Sequence, residues 1–291
     1  MSFHSIEEIQ QQCAALQKPF WQVVQEADAR EQGISPAASE EKMRGVWQAM
    51  CSSIEDYDPA MVSASGFVGP EGGKMADYVL RGDPLCGLFA GKVIARALMM
   101  GCSNACMKRI VAAPTAGACG VLPALLYTCR EDRDFSDEDI LHALYVAAGV
   151  GQVIAERACI AGAQGGCQAE IGSASGMAAA ALTALRGGTP QQMADACAMA
   201  LKNLLGLVCD PVAGLVEIPC VKRNVVGAMN ALSAADMALA GIRSAIPADQ
   251  VIDTMRQVGD AMSSTLKETS RGGLAVSPRG REMAQALKQN Q

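Results

Sequence analysis

The sequence is poor in aromatic residues, which make up only 4% of the 291 residues, although half of the chain is hydrophobic. This shortage disfavours a β-sandwich, whose strands are usually rich in aromatic and β-branched residues. Ala, Gly, Leu and Met are abundant instead, and small or flexible apolar residues favour close packing between helices. The hydrophobic content is sufficient for a sizeable core in one large domain or two small ones.

Charge is also scarce, since 19% of the residues are charged and the formal net charge is −6. No block of Lys or Arg stands out, so nucleic-acid binding has little electrostatic support. Gly, Pro or charged residues break the longest apolar runs before they reach the ~20 residues of a membrane span. The first dozen residues are polar and mixed, unlike a signal peptide. We therefore expect a cytoplasmic protein that binds neither nucleic acid nor a membrane.

Hydrophobic periodicity predicts a mostly α fold. The predicted helices cover residues 6–26, a segment that begins at Pro36, and residues 85–107, 122–130, 139–160, 173–185, 190–204, 224–240 and 248–266, followed by a polar last helix. Glycine and proline predict loops at 63–74, 115–120, 205–219 and 268–280. We expect a single helical catalytic domain over 1–291 whose loops converge on one site, with a peripheral C-terminal segment at 276–291.

Three of the twelve cysteines differ from the others in their surroundings. In a reducing compartment a disulfide framework is not expected, and most of the cysteines fit ordinary core packing. Glycine or proline lies beside Cys167, Cys209 and Cys220, which predicts turns at these positions. Three thiolates on loops, with no obvious fourth, suggest an iron–sulfur cluster with one iron free for substrate. Three buried loop cysteines without a ligand role are the simpler alternative.

Five runs of sequence resemble the iron–sulfur-dependent L-serine dehydratases, and they occur in the same order. They are APTAGACG at 113–120, GGCQAEIG at 165–172, LVCDPVAG at 207–214, IPCVKRN at 218–224 and ETSRGGLA at 268–275. The resemblance covers nearly the whole chain and is greatest to the separate α subunit of the two-chain bacterial form. It implies conversion of L-serine to pyruvate and ammonia, together with a β subunit that completes the active site.

The resemblance also implies that Cys167, Cys209 and Cys220 hold a [4Fe–4S] cluster. The iron without a protein ligand would then bind the substrate as a Lewis acid. Cys119 lies in a similar Gly-rich turn, but the family pattern does not use this position as a ligand. No cysteine follows Cys220 in this sequence, so we do not expect a C-terminal cysteine to occupy the open iron as it does in single-chain relatives.

Several polar residues near these runs are candidates for substrate binding. They are Ser63, Ser65, Lys74, Thr115, Gly117 and Arg271. Backbone N–H groups of the 115–120 turn could hold a carboxylate, and Lys74 or Arg271 could pair with one. A helix cap, a solvated lysine and an arginine that serves only the fold are the corresponding alternatives.

Three further residues flank the proposed ligands and could orient them by hydrogen bonding. They are Gln168, Glu170 and Asp210, of which the last could instead cap a turn. The two histidines give no evident general base, because His4 is near the terminus and His142 lies in a predicted buried helix. The general base is therefore unassigned.

Other functions are compatible with the residues. A related cluster-dependent lyase would act on L-cysteine or L-threonine. A non-catalytic iron–sulfur module would be a redox carrier or a sensor and would not respond to serine. A zinc-stabilised helical scaffold would be colourless and would contain zinc.

Overall fold

The structure is a computed structural model, and it describes residues 3–289. Within this range the chain folds into α-helices joined by loops, short 3₁₀ turns and one π-helical turn. Strand pairing in the same range is limited to an isolated bridge between Cys209 and Lys267. The predicted mostly α fold is therefore confirmed.

The helices of the described range are numbered here in chain order. They are α1 (Ile6–Leu16), α2 (Phe20–Gln32), α3 (Pro36–Glu55), α4 (Glu71–Leu80), α5 (Gly87–Ala105), α6 (Val121–Arg133), α7 (Asp137–Arg157), α8 (Gly162–Gly165), α9 (Ser173–Leu185), α10 (Pro190–Asn203), α11 (Cys220–Leu239), α12 (Ala248–Ala261) and α13 (Pro278–Gln289). The 3₁₀ turns are Ala116–Ala118, Val212–Gly214, Ser264–Leu266 and Gly273–Val276, and the π-helical turn is Gln168–Gly172.

Local signals predicted several helix boundaries correctly but failed at others. The predicted helix over 6–26 is wrong, because the left-handed Gln17 ends α1 and Pro19 precedes α2. The predicted loop at 63–74 is wrong at its end, since α4 already begins at Glu71. Helix α11 begins at Cys220, four residues before its predicted start.

Helix α9 forms the centre of the core. Its alanines and small polar residues are buried on all sides, from Ser173 to Thr183. Helices α6, α7, α10 and α11 pack against it. Because its side chains are small, neighbouring helices approach closely, as where Gly176 faces Leu201 and Cys197 of α10. A helix that is apolar all round is expected to be central in this way.

Four segments around this core meet at the candidate site. They are the turn at 115–120, the π-helical turn before α9, the loop between α10 and α11, and the loop after α12. Helix α13 packs against the turns Val212–Gly214 and Gly273–Val276, so the C-terminal segment contacts two of the loops that build the site. The single domain over 1–291 stays a prediction.

A search of the helices within residues 3–289 finds none with the length and apolar character that a bilayer crossing requires.

Helix α10 offers a direct test of the local folding signals. Thr189 Oγ1 accepts a hydrogen bond from the Gln192 N–H at 3.2 Å, and the Gln192 side chain accepts from the Thr189 N–H at 2.9 Å. We expect Thr189→Ala to lower the free energy of unfolding by about 1 kcal/mol, because it leaves helix N–H groups unpaired. Chemical denaturation measures the change. Thr189→Ser keeps the hydroxyl and should stay close to the wild type; equal losses in the two variants would contradict a capping role.

Candidate metal centre

The three cysteines with Gly or Pro neighbours are buried and lie close enough to influence one another. Burial raises the pKa of Cys167 to about 11 and that of Cys220 to about 12, and it also raises the pKa of Cys209. A thiolate at Cys167 would raise the pKa of both other thiols further. The fold therefore brings together three cysteines that are distant in sequence, although their role as ligands stays a prediction.

Two of these cysteines do not lie on loops, contrary to the prediction. Cys220 is the first residue of α11, directly after Pro219. Cys167 precedes the π-helical turn and follows Gly166, whose φ of +78° is the left-handed conformation that glycine tolerates best. The partial positive charge of a helix N-terminus favours a thiolate. Both positions therefore suit sulfur atoms that carry negative charge.

Cys209 is held by the loop that follows α12. Its N–H donates to the Leu266 carbonyl at 2.8 Å, and its carbonyl accepts from the Glu268 N–H at 2.8 Å. Glu268 and Ser270 both have positive φ, at 61° and 55°. The Ser270 hydroxyl donates to the Pro211 carbonyl at 2.8 Å. The 266–270 segment thus fixes the backbone on both sides of the Cys209 sulfur.

Arg223 links two of the cysteine-bearing segments, and the sequence analysis did not single it out. Its guanidinium donates to the Val208 carbonyl at 2.6 Å and to Asp210 Oδ1 at 2.8 Å. It also lies close enough to the Cys167 thiol to lower the pKa of that thiol, against the larger effect of burial. Its position three residues after Cys220 places it near the same helix face, and this spacing was the available signal.

Asp210 is buried and joins the same network, while its role in orienting a ligand stays a prediction. Its Oδ2 accepts from the Leu274 N–H at 2.7 Å, while Oδ1 accepts from Arg223. A Cβ at Gly273 would come within 2.3 Å of Asp210 Oδ2. The close approach of this loop to Asp210 therefore requires a glycine.

Asn224 ties the turn at 115–120 to the start of α11, and it was also missed. Its amide donates to the Gly117 carbonyl at 2.9 Å and accepts from the Gly120 N–H at 2.8 Å. The Gly120 N–H is thus already bonded within the protein and is not free for a substrate carboxylate. Cys119, in the same turn, is buried with its thiol donating to the Met100 carbonyl at 3.7 Å, which fits a packing role.

Glu170 places a carboxylate among the three thiols. Its Oε1 accepts from the Thr115 hydroxyl at 2.8 Å. Burial raises the pKa of Glu170, the Thr115 hydrogen bond opposes that shift, and the nearby Glu268 carboxylate adds to it. The charge of Glu170 in turn raises the pKa of Cys167, Cys209 and Cys220. Thr115 and Glu170, predicted for different roles, therefore form one unit.

Gln168 is fully buried but orients backbone rather than sulfur. Its amide donates to the Met255 carbonyl at 2.9 Å and accepts from the Gly206 N–H at 2.9 Å. Its own N–H donates to the Leu207 carbonyl at 2.9 Å. It therefore fixes the π-helical turn against α12 and the loop that leads to Cys209.

Ser63 and Ser65, two of the predicted substrate-binding residues, lie near Cys220 and form hydrogen bonds within the protein. Ser63 and Ser65 both donate to Glu217 Oε2, at 2.8 and 2.6 Å. Glu217 is itself buried and lies three residues before Cys220. These hydroxyls fasten the 63–68 loop next to the start of α11. Their role in substrate binding stays a prediction.

The remaining basic candidates point to solvent. Lys74 and Arg271 are exposed, and neither forms an ion pair within residues 3–289. His4 is exposed and contacts Glu156, whereas His142 stacks on Trp21 with ring centroids 3.6 Å apart. Burial lowers the pKa of His142. Within the described range, neither histidine therefore lies at the three cysteines.

The donor set of the site consists of three thiols. Within residues 3–289, no three His, Cys, Asp or Glu side chains converge tightly enough to hold one metal ion. All ligands of a structural zinc lie within about 2.3 Å of the same ion, whereas a [4Fe–4S] cluster binds each thiolate through a different iron. Cysteine thiols are the donors that such a cluster uses, and the role of these three as ligands stays a prediction.

Comparison with known proteins gives a family match and several similar chains. The serine dehydratase alpha chain family matches residues 15–275. The chain is 48% identical over 238 residues to the probable L-serine dehydratase alpha chain of Bacillus subtilis, which covers 82% of this chain and 79% of the relative. It is 47% identical over 207 residues to the L-serine dehydratase alpha chain of Peptoniphilus asaccharolyticus, with 71% of each chain covered. An L-serine dehydratase of Streptomyces coelicolor is 46% identical over 175 residues, covering 60% of this chain and 38% of that relative.

The contact between the 115–120 turn and α11 can be tested through Gly120. A Cβ at this position would lie 2.7 Å from the Ala97 carbonyl and 3.0 Å from Asn224 Oδ1. We expect Gly120→Ala to lower the free energy of unfolding by about 1–3 kcal/mol, since backbone must move to admit the methyl group. Chemical denaturation provides the measurement. Gly45→Ala is the control, because nothing lies within 4 Å of a Cβ there and alanine favours helix α3; similar losses at both positions would argue against the close contact.

Proposed function

Because the chain belongs to the serine dehydratase alpha chain family, we propose that it is the α subunit of an L-serine dehydratase. The enzyme is a lyase that converts L-serine to pyruvate and ammonia. The observation that carries this proposal is the meeting of Cys167, Cys209 and Cys220 beside the Glu170 carboxylate. The names of the relatives from Bacillus subtilis and Peptoniphilus asaccharolyticus support the same reaction.

The cofactor in this proposal is a [4Fe–4S] cluster held by the three cysteines. When bound, such a cluster supplies a Lewis-acidic iron that makes the substrate hydroxyl a better leaving group. The protein contributes an environment that tolerates concentrated negative charge. Arg223 lies against Cys167, and the N-terminus of α11 lies at Cys220. Both place positive charge next to sulfur.

The residues around the cysteines also exclude water and fix the backbone. Cys167, Cys209 and Asp210 are each 3% exposed. In a site of low polarity, charges on the substrate interact more strongly with protein groups than they would in water. The hydrogen bonds of Gln168, Asp210 and Asn224 hold the cysteine-bearing segments in place, so the groups that meet the substrate are arranged before it arrives.

A second chain completes the enzyme in this proposal. The relatives from Bacillus subtilis and Peptoniphilus asaccharolyticus are named alpha chains, and this name implies a partner. Both histidines of this chain lie away from the cysteines. If an imidazole transfers a proton in the reaction, it therefore comes from the β subunit. The α chain expressed alone should form no pyruvate, and adding the β subunit should restore turnover.

The ligand assignment predicts that replacing a proposed cluster ligand and replacing a buried cysteine without that role will have different effects. We expect Cys209→Ala to lose most of the iron and sulfide and at least about 100-fold in pyruvate formation, because a ligand to the cofactor is absent. Cys119→Ala is the matched control, since its buried thiol faces the Met100 carbonyl, and it should retain the cluster. Iron and sulfide analysis with an anaerobic assay of L-serine, L-threonine and L-cysteine makes the comparison. Full activity in Cys209→Ala would remove this residue from the mechanism.

The contact between Arg223 and Cys167 predicts a stabilising role for the guanidinium. Arg223→Met removes the charge and the bonds to Val208 and Asp210, so we expect the visible absorbance of the cluster to decay several-fold faster in air. Arg223→Lys should give an intermediate rate, because lysine keeps the charge but not the planar fork. The control is Arg243→Met, at an exposed residue that pairs with Asp195. A decay rate that does not change in Arg223→Met would rule out this role.

A further inference from the structure

Glu170 is a half-buried carboxylate that has no cationic partner in the described part of the chain. The Thr115 hydroxyl is its recorded hydrogen-bond donor. The charged group that shifts its pKa is another carboxylate, Glu268. Arg223 lies close to Cys167, but it is bonded to Asp210 and Val208. Because a buried charge is unfavourable unless it is paired, a cation from outside this chain is expected to meet Glu170.

The second oxygen of this carboxylate lies beside one of the cysteines, and both approach Gly162. A Cβ placed on Gly162 would lie 2.6 Å from Glu170 Oε2 and 3.1 Å from Cys209 Sγ. A Cβ on Gly117 would lie 3.1 Å from Oε1. The two glycines therefore let the backbone approach the carboxylate closely, and a larger residue at either position would crowd it. Thr115 donates to Oε1, whereas no hydrogen bond to Oε2 is present among residues 3–289.

The substrate offers one group that matches this position. L-serine carries a hydroxyl, a carboxylate and an α-ammonium group, and of these only the ammonium is a cation. A carboxylate receives an ammonium through a charge-assisted hydrogen bond, which is stronger than a neutral one. The Glu268 carboxylate, on the loop bonded to Cys209, adds negative potential at the same place. Neither the hydroxyl nor the carboxylate of serine is a cation, so neither can form an ion pair with Glu170.

We propose that Glu170 receives the α-ammonium group of the substrate and thereby restricts the site to α-amino acids. This inference rests on the proposed function, since it assigns a substrate contact within the same site. Thr115 is then a positioning residue that fixes the orientation of the Glu170 carboxylate. Gly117 and Gly162 keep side chains away from the two oxygens of that carboxylate.

The test uses the anaerobic holoenzyme with its β subunit and two probes that differ in one group. L-serine has the ammonium, whereas 3-hydroxypropionate has the same hydroxyl and carboxylate without it. Dissociation constants come from the change in the visible circular dichroism of the cluster on titration. We expect Glu170→Gln to weaken L-serine binding roughly 10- to 100-fold, the range for one charged hydrogen bond. Binding of 3-hydroxypropionate should change less than about threefold, because that probe carries no charge for Glu170 to recognise.

Two variants make the comparison specific. Glu41→Gln removes a carboxylate whose side chain is 79% exposed on α3, and it should leave both dissociation constants unchanged. Thr115→Val keeps the Glu170 charge but frees Oε1, and it should reduce the preference for L-serine several-fold. If Glu170→Gln fails to assemble a cluster, Thr115→Val decides the question, and an unchanged preference in it would overturn the proposal.

Other outcomes separate this inference from the proposed function. If Glu170→Gln binds L-serine as tightly as the wild type but no longer forms pyruvate, Glu170 acts in proton transfer and the ammonium contact is wrong. If the wild-type holoenzyme has no cluster, or its spectrum does not respond to L-serine, the proposed function itself fails. If the wild-type spectrum responds to L-serine and the variants prefer L-serine over 3-hydroxypropionate as strongly as the wild type does, only the role of Glu170 is overturned.

Discussion

The site depends on the close burial of four groups that can each carry negative charge. Cys167, Cys209 and Cys220 share one region with the Glu170 carboxylate, and burial raises the pKa of all four. Without compensation, this concentration of potential charge would oppose folding. Arg223 supplies one cation, and the N-terminus of α11 supplies partial positive charge. The remaining imbalance is what a cationic cofactor and an ammonium-bearing substrate would relieve.

The backbone is held around these groups by side chains that each join two distant segments. Asn224 joins α11 to the 115–120 turn, and Gln168 joins the π-helical turn to α12. Asp210 joins the loop before α11 to the loop after α12 through Leu274. All three side chains are buried, so losing any one of them would leave backbone groups without partners. The network explains how loops and helix starts hold a fixed geometry without a sheet.

The helical core supports this arrangement through small side chains. Helix α9 continues directly from the π-helical turn that follows Cys167. Its buried alanines let α7, α10 and α11 pack closely around it. Since α11 carries Cys220 at its first residue, two of the three cysteines are attached to helices that pack against each other. A site built on packed helices keeps its geometry better than one built on loops alone.

The sequence by itself determined the class of fold, most helix positions and the three cysteines of interest. Periodicity is local, so most of the helices could be predicted from it, and the ordered motifs indicated the family. The roles of Arg223, Asn224 and Glu217 could not be read in the same way, because each bonds to residues far away along the chain. Only the tertiary structure showed that Thr115 and Glu170 form one unit and that Cys220 begins a helix. These features depend on which distant segments pack together, and packing of that kind leaves no periodic signal in the sequence.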